Sequence, residues 1–102
     1  MAIINKKDIR NDDNDKMMPI RKQGIFVQDI GRETLLYSAR ERVFHVLNAT
    51  AKFIWELCDG EHSIEDIEQA VRDNFSMTRE YDIAGDVQRT LKFFISKGLL
   101  EN

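Results

Sequence analysis

The sequence predicts an α+β domain in which a three-stranded antiparallel sheet comes first and three helices follow, packed on one of its faces. Three observations carry this. From Gly24 to Leu47 the chain falls into short segments rich in β-branched and aromatic residues, separated by turn-compatible ones. From Asn48 to Lys97 the apolar residues recur at helical spacing between capping residues and glycines. And 102 residues suffice for one hydrophobic core but not for two.

The strands are expected at Ile25 to Ile30, Glu33 to Ser38 and Val43 to Leu47. Gly31-Arg32 makes the first turn and Ala39-Arg40-Glu41 the second, where Arg40, Glu41 and Arg42 hold that end of the sheet in water. Asn48 is a good N-cap for the first helix, whose apolar stripe is Leu47, Ala51, Ile54, Trp55 and Cys58, and Gly60 stops it in the usual glycine position. Ser63 with Asp66 three residues on resembles a capping box ahead of Ile64, Ile67, Val71 and Phe75. The surface of this second helix is acidic through Glu65, Asp66, Glu68 and Asp73. The third helix starts at Arg79 or Asp82, buries Ile83, Val87, Leu91 and Phe94, and ends at Lys97 before Gly98, after which Leu99 and Leu100 fold back. An antiparallel sheet followed by a run of helices is the signature of a sheet covered on one face.

Residues 1–23 read as a flexible charged arm, through the run Asn11-Asp12-Asp13-Asn14-Asp15-Lys16, and residues 24–102 as the folded domain. Met17 and Met18 leave room for a translation start just before the folded part.

The net charge of −3 gives no general attraction to nucleic acid or anionic lipid. The longest apolar runs, such as Phe93-Phe94-Ile95, are far short of a bilayer span, and no signal peptide is evident, so the location is expected to be cytoplasmic. Cys58 is the single cysteine; it lies on a core stripe beside Glu56 and Asp59, which suits packing better than nucleophilic work. The glycines are isolated and form no phosphate loop, and His45 and His62 have no metal-ligand spacing. His62 reads as a solvated loop residue and Trp55 as a core anchor. His45, between Phe44 and Val46, is either packed within the strand or displayed on a ligand-facing surface. Neither catalysis nor a cofactor is expected.

The segment from His45-Val46-Leu47-Asn48 through Ala51, Trp55 and Asp59-Gly60, continued by Ser63-Ile64, Ile67, Phe75, Asp86-Val87, Leu91 and Gly98-Leu99-Leu100, resembles the PqqD-like family. Its members are peptide chaperones, or recognition elements, for precursors of ribosomally made, post-translationally modified peptides. The resemblance implies a winged helix-turn-helix-like domain that captures the leader segment of a precursor peptide and presents it to a modifying enzyme, often a radical S-adenosylmethionine protein. The leader adds as a strand to the edge of the sheet, against the last helix.

Carried onto this chain, the edge is Arg42, Val43, Phe44, His45 and Val46, and the groove wall is Asp86, Arg89, Thr90 and Phe93. Phe93 is large and apolar yet lies off the core stripe, while Arg89 and Lys92 are cations available to acidic leader residues. The modifying enzyme then needs a second surface, for which the acidic second helix is a candidate, and the exposed edge also offers self-pairing into a homodimer. Two alternatives stay open: a winged-helix DNA-binding regulator, which Asp82 and Asp86 at the start of the third helix oppose, and a subunit that only stabilises an enzyme complex.

Overall fold

The computed structural model describes residues 17–75 and 82–101. Strands β1 (Ile25–Ile30), β2 (Glu33–Ser38) and β3 (Val43–Leu47) form one antiparallel sheet in the order β1-β2-β3. Helices α1 (Ala49–Leu57), α2 (Ile64–Asn74) and α3 (Ile83–Ser96) follow in chain order. The α+β architecture and the strand bounds agree with the sequence expectation. Arg79 as a helix start lies outside the described residues; Asp82 is the cap, its carboxylate accepting from the Gly85 N–H at 2.9 Å. A Cβ at Gly85 would meet that carboxylate and displace it from its capping position.

Strand alternation sorts the sheet into two faces. Thr34, Leu36 and Ser38 of β2 are buried, and Leu36 pairs with Val27 on one side and His45 on the other. This inner face meets α1, and the core closes with Leu47, Ile54, Trp55, Ile67, Val71, Val87, Leu91, Phe94 and Leu99. Among the described residues the outer face carries no helix. There Phe26, Tyr37 and Phe44 form a ladder of rings with centroids 6.4 and 4.6 Å apart, and Phe26 and Phe44 are each 62% exposed.

Helix α1 is capped by Asn48, whose side chain accepts from the Ala51 N–H at 2.8 Å, and α2 by the reciprocal pair of Ser63 and Asp66. Both caps are where the sequence placed them. Gly60 is not the stop of α1: the helix ends at Leu57 with Cys58 as its cap. Gly60 instead adopts a φ of +83° in the following turn and lies against Ile20, so a side chain there meets both strain and a neighbour.

Ile20 belongs to a segment expected to be part of the arm. Within residues 17–23, Pro19 is fully buried, and Ile20 and Arg21 bridge to Asp59 and Leu100. The Gly60 N–H donates to the Pro19 carbonyl at 2.9 Å, the Arg21 N–H to the Cys58 carbonyl at 2.9 Å, and the Lys22 N–H to the Leu99 carbonyl at 2.8 Å. The Arg21 guanidinium donates to the carbonyls of Trp55 and Glu56 at 3.0 and 2.8 Å. A helix end leaves such carbonyls short of donors, the Trp55 carbonyl having only the Cys58 N–H at 3.1 Å as a local backbone partner, and α1 has no basic residue in its last turn, so Arg21 supplies the charged donor. The packed body therefore includes residues 19–22, ahead of the expected boundary at Gly24. Residues 1–16 of the expected arm lie outside the described residues.

No helix among the described residues is long and apolar enough to cross a membrane.

Candidate functional site

The candidate site is the edge of β3 away from β2, together with one flank of α3. Among the described residues no strand pairs with β3 on the side away from β2, so that edge offers its backbone N–H and C=O groups to an incoming strand. The side chains of β3 alternate. Phe44 and Val46, paired with Tyr37 and Leu35, point to the outer face, whereas His45, paired with the buried Leu36, points to the helices. Phe44 and Val46 can thus contribute backbone to the groove, while their side chains belong to the exposed aromatic face.

His45 takes the packed reading of the two left open. It is 9% exposed, and it packs against a residue of the candidate wall: its ring stands edge-on to Phe93, centroids 5.8 Å apart and planes at 87°. Phe93 remains 37% exposed and makes a tilted ring contact with the buried Phe94. On a helix that advances about 100° per residue, Phe93 lies on the flank of α3 next to Thr90, Asp86 and Lys97. The turn before β3 lies at the other end of α3, with the Glu41 carboxylate 3.6 Å from where a Gly98 side chain would begin. β3 and α3 therefore run in opposite senses along the groove.

The remaining wall residues differ in what they present. The Thr90 hydroxyl donates to the Asp86 carbonyl at 2.8 Å, so it is turned to its own helix. Arg89 stands outermost, 4.0 Å from the Asp86 carboxylate, and that pair leaves its end of the groove close to electrical balance. Lys92 is not in the groove: it lies on the opposite flank of α3, lining an apolar cleft of about 240 Å³ with Ile64, Gln88, Leu91, Ile95 and Leu100. A basic residue the sequence reading passed over takes the place expected of Lys92. The Lys97 ammonium sits 5.9 Å from the centre of the Phe93 ring, and the i, i+4 spacing of these two residues was the available signal.

Arg42 requires a second correction. It precedes the strand, with a φ of +60° and its N–H donating to the Ser38 carbonyl at 2.6 Å, so it closes the turn and does not pair along the edge. A tight turn into β3 demands a left-handed residue at this point, which strand propensity does not reveal.

The chemistry outside the groove is quiet. Cys58 is buried, its Sγ donating to the Ile54 carbonyl at 3.3 Å, and burial pushes its thiol up to about 12. His62 is tied to Asp59 at 2.9 Å in the α1–α2 loop. Among the described residues no group of three His, Cys, Asp or Glu side chains gathers as a metal-ligand set.

Comparison with known proteins adds the following. The family model described as coenzyme PQQ synthesis protein D (PqqD) matches residues 33–100. Among solved structures, the chain is similar to TbiB1 in complex with the TbiA(beta) leader peptide, with a TM-score of 0.68 and 23% identity over 81% of this chain and 95% of that one. It is also similar to lasso peptide synthetase B1 complexed with the leader peptide, with a TM-score of 0.70 and 20% identity over 84% of this chain and 100% of that one. A search of the curated proteins gives no match.

Proposed function

The chain belongs to the PqqD family, and from that premise we propose that it binds the leader segment of a ribosomally made precursor peptide and presents it to a modifying enzyme, without chemistry of its own. The observation that carries this reading is the β3 edge, unpaired among the described residues, facing Phe93 across the ring of His45. An added strand would exchange backbone hydrogen bonds with residues 43–46, which gives affinity for any extended peptide, while alternate side chains meet the flank of α3, which gives selectivity. Two proteins of the same fold are solved with leader peptides bound, which supports the same use here.

The absence of catalysis is supported by the one thiol being buried and held protonated well above neutral pH. A radical S-adenosylmethionine protein is the class of enzyme we expect to receive the peptide, since the family commonly serves such enzymes.

The test is to titrate the protein with synthetic peptides from short reading frames encoded beside it, following backbone amide signals. Binding should move Val43 to Leu47 and the α3 flank from Asp86 to Lys97 and slow amide exchange along β3. Binding that leaves β3 unmoved, or no binding by any neighbouring peptide, would sink the proposal.

A further inference from the structure

The groove is electrically lopsided, and we infer that it selects peptides carrying an acidic residue two positions from an apolar anchor, the acid facing Lys97 and the anchor resting on Phe93. This rests on the peptide-binding reading above and adds the class of sequence recognised.

Phe93, half-open beneath the edge of β3 and backed by His45, is the large apolar surface on the wall. A strand side chain pointing inward opposite His45 lands there. Along an added strand the next inward side chain is two residues on, about 6.8 Å away. Along α3 the next residue on the same flank is four on, about 6 Å away. The two repeats nearly coincide, so the inward neighbour of the anchor faces Lys97 in one direction and the Arg89–Asp86 pair in the other.

Those two neighbours differ in charge. At the Lys97 end the β2–β3 turn brings Arg40 and Arg42, and among the described residues none of these three cations engages a carboxylate in an ion pair. Glu41 and Glu101 are the opposing charges: both line a pocket with Arg40, Lys22 and Gly98, and the Glu101 carboxylate already accepts from the Gln23 N–H at 3.3 Å, so the cations still outnumber the carboxylates there. At the other end Arg89 is matched by Asp86, and Asp82 caps the helix beside them. An acidic side chain is therefore attracted at the Lys97 end and met by an already compensated pair at the other. Spacing and end are set by the groove, and whether the acid precedes or follows the anchor depends on the direction of the added strand.

A selection of random twelve-residue peptides by mRNA display against the full chain, repeated with the Lys97→Glu and Lys97→Gln variants, tests this. The pool from the unaltered protein should pair an aliphatic or aromatic residue with Asp or Glu two positions away. Lys97→Glu should move the enriched residue at that spacing to Lys or Arg and weaken an acidic peptide about threefold to tenfold at low salt, fading as salt rises. Lys97→Gln, which keeps a long polar side chain at the cap, should erase the preference without reversing it. A pool that shifts the β3 and α3 amides but carries no acid at that spacing, or the same residues against all three proteins, overturns the inference and leaves the groove as a peptide site. A pool that leaves those amides unmoved, or a selection that enriches nothing, overturns the peptide reading itself.

Discussion

The ring of His45 meets that of Phe93 edge-on, with centroids 5.8 Å apart, and this contact ties the open edge of the sheet to the last helix. Phe93 is followed in the chain by Phe94, which is fully buried against Trp55, so of two adjacent phenylalanines one belongs to the core and the other stays half-open beside the sheet edge.

Alanine replacements should separate the two. Phe94→Ala is expected to cost about 3–5 kcal/mol in urea unfolding. Phe93→Ala, at a side chain already 37% exposed, should cost about 1 kcal/mol while weakening a groove-binding peptide roughly tenfold or more. Equal losses of stability from both would assign Phe93 to the core.

Phe26→Thr, on the outer aromatic face, should leave peptide affinity within about twofold, because Phe26 points away from the helix side where the groove lies. Isothermal titration with a groove-binding peptide measures this directly.

Arg42→Gly should raise the midpoint of thermal unfolding, since a left-handed backbone at a non-glycine residue costs about 1 kcal/mol and glycine relieves most of it. The same change removes a cation from the Lys97 end, so affinity for an acidic peptide should fall while stability increases. A lower midpoint would show that the Arg42 side chain holds the turn.

Arg21→Ala should lower stability by about 1–2 kcal/mol, seen as a smaller denaturant midpoint with unchanged slope, because two carbonyls at the end of α1 lose a charged donor. A chain beginning at Gly24 should lose more, since it also lacks the backbone bonds of Pro19 and Lys22.

The loop pair of His62 and Asp59 gives a pH signature. The hydrogen bond with Asp59 raises the His62 pKa above its ordinary 6.5, and the bond from His62, then that from the Glu61 N–H, lowers Asp59 below 3.8. For His62 the stabilisation is full below 6.5 and lost as pH rises through its raised value; for Asp59 it is full above 3.8 and lost as pH falls through its lowered value. The pair is thus complete between those limits. Proton NMR should show the His62 ring titrating above the ordinary value, and Asp59→Asn should bring it back.

Much of this was legible in the chain. The strands announce themselves because the runs Ile25 to Ile30 and Val43 to Leu47 are dense in residues that fit a pleated surface, and charged turns bound them. Helix starts at Asn48 and Ser63 were readable because a cap is a local hydrogen bond between residues three apart. The end of α1 was not, since Gly60 serves a contact with Ile20 forty positions earlier in the chain. The docking of Pro19 to Lys22 left no pattern either, being made of isolated bridges to Asp59 and Leu100.

The sequence by itself determined the order of elements, the core stripes and the family, because periodicity, capping and glycine placement act over a few residues. The tertiary structure decided which charges share the groove. It set Lys97 beside Phe93 and sent Lys92 to the far flank, since helix rotation relative to the sheet is fixed by how Val87, Leu91 and Phe94 pack, not by any local preference. It also turned Arg42 out of the strand and brought His45 against Phe93, because both depend on where the chain must reverse and what the sheet then covers.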